Sequence, residues 1–276
     1  MKSSFWEGKS AVITGGSSGL GFDLARALAD QRAAKLLLVA RNAKRLQNSA
    51  TSLATGHSQG KIFSVSADTS CTEGAERISA FLAESSFGPV DILINAVGLS
   101  DRGTVRQLTA DRLRELIDIN VVSTLRISQQ VFSDLRKPGA VIVNIGSLSS
   151  IFAPRFLGGY AVAKHALAAL TQQMRLEFSA EGIHVMLACP GPIRREDAGE
   201  RYRNLPSADQ LPASALKSGG GAKIKGLDAC ILANEILSAA AAHKCLLVRP
   251  RKARLLQILM ALSPKLGDML LRKMSA

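Results

Sequence analysis

The sequence predicts an α/β fold: a doubly wound parallel sheet in a single domain, followed by a helical extension at the C-terminus. Three observations predict it. Seven short apolar runs recur along the chain, segments with helical apolar spacing lie between them, and a glycine-rich turn joins the first run to the first helical segment. With 276 residues, of which 47% are hydrophobic, the chain can bury a large core.

The expected strands are residues 10–14, 35–40, 61–66, 90–95, 140–145, 183–188 and 244–248. Their apolar character is nearly continuous rather than alternating, which suits strands covered on both faces. Helical spacing marks residues 19–32, 71–85, 109–136 and 159–180. Two segments break this rhythm. Residues 194–226 are polar, hold Pro206, Pro212 and a run of glycines, and read as a lid-like excursion before the last strand. Residues 249–276 extend beyond what the sheet requires, so the main domain is expected to span residues 1–248 and the C-terminal extension residues 249–276.

Composition excludes several classes. Cys71, Cys189, Cys230 and Cys245 are dispersed without a CxxC pair, and His57, His165, His184 and His243 are equally scattered, so neither a disulfide framework nor a metal site is expected. The net charge of +13 invites a nucleic-acid reading, but aromatics make up only 4% and no nucleic-acid motif is present. No signal peptide fits before the first strand, and no apolar run approaches the roughly 18 residues of a membrane span, so a cytoplasmic location is expected.

The stretch Ile13 to Gly21, ITGGSSGLG, follows the first strand and opens the first helix. Backbone amides at such a place face a phosphate, and the helix N-terminus adds positive potential. Its spacing, TGxxxGxG, departs from GxGxxG. With Asn95-Ala96-Val97-Gly98, with Asn120, Ser147, Tyr160 and Lys164 in that order, and with Pro190-Gly191-Pro192-Ile193, it resembles the short-chain dehydrogenase/reductase family over about residues 9–248. The resemblance implies a Rossmann-like fold and a nicotinamide cofactor held by Gly15, Ser17, Ser18, Gly19, Leu20 and Gly21. It further implies that Asp68 contacts the adenine, and that Asn95, Gly98, Pro190, Gly191 and Ile193 border the cofactor together with Tyr160 and Lys164.

Tyr160 and Lys164 stand one helical turn apart and project from one helix face. A neighbouring ammonium favours the phenolate, bringing a proton donor toward working pH. Ser147 follows a strand at the carboxyl edge of the sheet, where doubly wound folds place ligands. The resemblance makes Tyr160 the proton donor to a carbonyl oxygen, Ser147 its polarising partner, Lys164 the ribose-binding cation and Asn120 part of a water-linked proton path. NAD sites carry an acid at the end of the second strand; here that strand ends Ala40-Arg41-Asn42, and Arg41 suits a 2′-phosphate, so NADP is expected, with Ser17, Asn42 and Lys44 assisting.

Residues 99–103, 148–158 and the excursion after Pro192 are expected to bound the substrate pocket, contributing Phe152, Phe156 and Leu157 alongside Arg155, Arg194 and Arg195. They leave a small-molecule carbonyl or alcohol substrate, apolar or lipid-like, unnamed. Other readings are a catalytically silent NADP-binding sensor and a peripheral membrane module. A homo-oligomer through the helices at 109–136 and 159–180 is implied by the resemblance. In the tail, short apolar runs flanked by cations suit either a cap on the pocket or a subunit interface, or contact with an anionic membrane.

Overall fold

In β1 (Ser10–Thr14), Ala11 and Ile13 enter one apolar core while Val12 enters another, because successive side chains of a strand point to opposite faces. The same division recurs in β2 (Lys35–Ala40), where Leu36 and Leu38 oppose Leu37 and Val39, and in β5 (Val141–Ile145), where Val141 and Val143 oppose Ile142. A sheet apolar on both sides needs helices on both sides. The structure, a computed structural model, describes residues 4–57, 60–194, 202, 211–216 and 225–274.

With β3 (Lys61–Ser66), β4 (Ile92–Asn95), β6 (His184–Pro190) and β7 (Leu246–Arg249), these strands form one parallel sheet in the order β3-β2-β1-β4-β5-β6-β7. One face is covered by α1 (Gly19–Asp30), α2 (Ala43–Gly56) and a helix at Ala229–Ala241 through residues such as Leu28, Leu46 and Ile236. The other is covered by α3 (Thr72–Glu84), α5 (Ser123–Gln130) and α6 (Tyr160–Phe178) through Ile78, Ile127 and Met174. Each such side chain contributes about 1.5–3 kcal/mol on burial. Between α3 and α5 lies α4 (Ala110–Ile117); the helix at Ala229–Ala241 is α7, and α8 (Ala253–Leu262) and α9 (Pro264–Met274) follow β7. Strand order reverses between β1 and β4, and the crevice at the carboxyl ends there is where such sheets bind ligands.

The structure departs from the sequence reading in several places, among them β7, which starts at Leu246 rather than at residue 244. Helix α2, which that reading passed over, buries only Leu46, Ala50 and Leu53 from an otherwise polar segment. The continuous helix expected over 109–136 is interrupted by a π-helical turn, Asp118–Val122, and its last residues form a 3₁₀ turn. β4 starts two residues later than expected, because Val90 instead pairs with Leu135. β6 runs two residues further, to Pro190, which pairs with Arg249. Near the N-terminus, Trp6 is buried and its Nε1 donates to the Leu237 carbonyl of α7 at 3.3 Å. Among the described residues no helix is long and apolar enough to cross a membrane.

Candidate active site

The β1–α1 turn is built around close backbone approach. Gly15 has φ +70°, and a Cβ added at Gly21 would lie 2.4 Å from the Gly15 carbonyl oxygen. Gly16 N donates to the Val39 carbonyl (3.2 Å), and Ser49 Oγ donates to the Ser17 carbonyl (3.0 Å), tying the loop to β2 and α2. Leu20 packs onto the core below. Ser18 is the N-cap of α1 but makes no side-chain capping bond, and the first turn holds no acid. The first-turn N–H groups and the positive end of the helix thus remain for an anion. This cradle fits a dinucleotide's pyrophosphate.

Arg41 follows β2 and is exposed beside Asp68, which follows β3; Arg41 Nη1 lies 3.7 Å from Asp68 Oδ2. No acid follows β2 in sequence, but folding brings one there. Asp68 Oδ1 accepts from Ser70 N (2.9 Å) and Ser70 Oγ (2.6 Å). Burial tends to raise the Asp68 carboxyl, but the Ser70 hydrogen bonds and the Arg41 charge outweigh it and hold it below the usual range. Asn42 is the N-cap of α2, its Oδ1 accepting from Arg45 N at 2.9 Å, while Lys44 and Arg45 stand exposed on the first turn. The cations at this corner are therefore Arg41, Lys44 and Arg45, with Asn42 serving as a cap.

The Asn95 side chain is buried between β4, β5 and α5, where Nδ2 donates to Ser128 Oγ (3.1 Å) and Asn144 Oδ1 (2.9 Å). Its part is to join the sheet to the helix layer. Asn120, in the π-helical turn, is fully buried, and its side chain clamps the chain beyond β4: Leu99 N donates to Oδ1 (3.2 Å), and Nδ2 donates to the carbonyls of Leu99 (3.0 Å) and Leu116 (2.9 Å). The wider π turn serves this placement, a common role of such turns at functional sites. Gly98 lies against this clamp; a Cβ there would meet Asn120 Oδ1 at 2.9 Å and Lys164 Nζ at 3.2 Å.

Tyr160 opens α6, and the Ser147 hydroxyl lies on the side of its phenol, where it favours the ionised form. Ser147 in turn caps the 3₁₀ turn Leu148–Ser150, its Oγ accepting from Ser149 N at 3.1 Å. Lys164 is buried, donates from Nζ to the Ile145 carbonyl (3.0 Å) and sits 5.8 Å from the Tyr160 ring centroid. Burial pushes the lysine down to about 8. It pushes Tyr160 up, opposed by the neighbouring Ser147 hydroxyl and the charge of Arg102. Arg102 is thus a further cation that favours the phenolate, beside Lys164.

Arg102 is the residue that sequence reasoning missed. It is 5% exposed, donates from Nε to the Ala215 carbonyl (2.9 Å), and lies with its guanidinium carbon 3.9 Å from the Tyr202 ring centroid. Ser100 Oγ and Tyr202 OH are 3.0 Å apart. Gly103 N donates to the Phe156 carbonyl and Gly158 N to the Gly103 carbonyl, which laces the Arg102 segment to the chain just before Tyr160. Phe152 and Leu157 are buried, and Arg155 stacks over Phe156 at 5.2 Å. At the other wall Gly191 N donates to the Arg249 carbonyl (2.7 Å), Ile193 pairs with Leu227, and Arg194 pairs with Asp228 (3.0 Å). Arg195 and most of the excursion at 194–226 lie outside the described residues.

Comparison with known proteins agrees with this arrangement. The short chain dehydrogenase family profile matches residues 9–204. A 2-(S)-hydroxypropyl-CoM dehydrogenase of Xanthobacter autotrophicus is 29% identical over 74% of this chain and 79% of its own length. The L-sorbose reductase of Gluconobacter frateurii, solved with NADPH and L-sorbose, superposes with a TM-score of 0.75 at 25% identity, covering 87% of this chain and 93% of that one. A short chain dehydrogenase/reductase from Burkholderia phymatum, solved with NAD, shares the fold with a TM-score of 0.77 at 21% identity, over 95% and 96% of the two chains. The glycine cradle at the switch point and the hydroxyl pair at the head of α6 thus sit in a chain that belongs to the short-chain dehydrogenase/reductase family, whose oxidoreductases act on alcohol and carbonyl groups.

Proposed function

We propose that the protein is an NADP-dependent oxidoreductase that reduces a carbonyl to an alcohol, with Tyr160 as general acid. The observation that carries this reading is the convergence of the Ser147 and Tyr160 hydroxyls with the Lys164 ammonium, which is anchored on the Ile145 carbonyl and lies 5.8 Å from the Tyr160 ring centroid. The β1–α1 cradle would hold the pyrophosphate, Arg41 and Lys44 the 2′-phosphate, Asp68 the adenine side, and Gly98, Lys164 and the turn Pro190 to Ile193 the nicotinamide side. The bound cofactor supplies hydride. Ser147 orients and polarises the carbonyl oxygen, and Tyr160 gives that oxygen its proton. A tyrosine raised by burial keeps its proton at neutral pH, which suits an acid in the reductive direction. A silent NADP-binding sensor has no use for this hydroxyl pair.

The reading places the enzyme in the cytoplasm, acting on an apolar or lipid-like carbonyl, and assembles it as a homo-oligomer. Ala161 and Ala163 are spent on the subunit's own core, but Val162 (50% exposed) and Leu176 (67% exposed) share the outward face of α6 and suit a subunit interface.

Fluorescence titration with NADPH and NADH, followed by NADPH oxidation against fatty, steroidal and short-chain carbonyls, tests the proposal. NADPH is expected to bind more tightly, and Arg41→Ala to weaken it by about tenfold to a hundredfold while leaving NADH nearly unchanged. The nearby Asp68 competes for Arg41 and argues for the lower end. Equal wild-type affinities for the two cofactors contradict the NADP assignment, and failure of every carbonyl contradicts the enzyme reading.

A further inference from the structure

We infer that the C-terminal helical hairpin, α8 and α9, is a docking face for an anionic lipid surface. The two helices fold tightly on one another: a Cβ added at Gly267 would lie 2.3 Å from Met260 Cγ, and Gly267 N donates to the Ser263 carbonyl at the bend. Among the described residues, the start of the hairpin is the part that joins an apolar cluster of the body. Ala253 packs beside Val248, Leu148 and Ile151, whereas α8 contains no fully buried residue.

Leu255, Ile258 and Leu262 recur three and four residues apart along one face of α8 and are 63%, 52% and 78% exposed. On α9, Leu266 and Met269 are 37% and 45% exposed. Scattered single apolar residues on a surface need no explanation, but a stripe along one helix, with further exposed apolar residues on the helix packed against it, calls for an occupant.

Charge identifies that occupant. Arg251, Lys252, Arg254, Lys265, Arg272 and Lys273 flank the stripe, and Asp268 is the one acid in 249–276. None of these six cations has an ion-pair partner among the described residues. A second copy of the chain meeting this face about a two-fold axis would set the same cations against each other. An anionic bilayer attracts them while taking up the apolar stripe. At about 1.5 Å per residue neither helix approaches the roughly 30 Å of a bilayer core, so the hairpin lies in the plane of the interface.

The hairpin leaves β7 through Pro250, beside Gly191 and Leu148, so a docked molecule holds the carboxyl edge of the sheet near the lipid. The docking itself stands apart from the catalytic reading, because it is measured without substrate or turnover.

Co-sedimentation of the full-length chain with phosphatidylglycerol-containing and pure phosphatidylcholine vesicles tests the inference. Binding is expected to be at least about tenfold stronger on the anionic vesicles and to fall by a similar factor in high salt. Ile258→Asp/Leu262→Asp and, separately, Lys252→Glu/Arg254→Glu are each expected to abolish most of it while keeping wild-type circular dichroism, since all four residues are exposed. Absence of binding to anionic vesicles, equal binding to both kinds, or wild-type binding by both variants overturns it. So does a dimer that the aspartate variant dissolves while the wild-type chain ignores vesicles, which would make the face an interface between copies.

Discussion

Lys164 shows how burial sets the chemistry of a single residue. Taken out of water, its ammonium is pushed down to about 8, so the free enzyme loses this charge across an accessible pH range. The electron-rich oxygens of a bound ribose favour the charged form and raise its pKa in the complex. By linkage, NADPH affinity is expected to weaken as pH rises above about 8, approaching tenfold per unit until the pKa of the complex is reached, and Lys164→Met is expected to flatten this dependence. Titration by cofactor fluorescence between neutral and alkaline pH checks it; a wild-type affinity independent of pH contradicts it. Ser147, Tyr160 and Lys164 were legible in the sequence because their relation is set by a strand end and one helical turn. Arg102 was not, because its stacking partner Tyr202 and its acceptor Ala215 are brought to it only by the fold.

Between elements, the β1–α1 turn is the most constrained junction of the site. Gly21→Ala would place a methyl group 2.4 Å from the Gly15 carbonyl, and neither backbone segment can yield without opening the cradle. Cofactor affinity is expected to fall by at least about a hundredfold, with a loss of stability of about 1–3 kcal/mol from overpacking. Isothermal titration and urea denaturation measure the two, and an unchanged affinity would show that the turn is no phosphate cradle. The strands were legible because burial on both faces leaves continuous apolar runs. Helix α2 was obscured by its few apolar positions, and the π turn by a hydrogen-bond register chosen by the Asn120 clamp rather than by local propensity.

For the molecule as a whole, the doubly wound parallel sheet followed from the alternation of strands and helices, but the closure of the N-terminal segment on the core did not. Trp6 anchors the N-terminal segment to α7 by burial and by its bond to Leu237, joining positions far apart in sequence. Trp6→Ala is expected to destabilise the protein by about 3–5 kcal/mol, read as a lower urea midpoint at unchanged slope, and a shift below about 1 kcal/mol contradicts this. The central claim is that the assembled site moves hydride to a carbonyl carbon and a proton from Tyr160 to its oxygen. It is tested most directly by single-turnover reduction of a carbonyl substrate with NADPH deuterated at the transferring position of its nicotinamide C4, comparing wild type with Tyr160→Phe. The account predicts deuterium on the product's carbinol carbon, and for Tyr160→Phe a rate lower by about 10² to 10⁴ with NADPH binding retained. Product without the label, or a Tyr160→Phe chemical step faster than roughly a tenth of wild type, would contradict it.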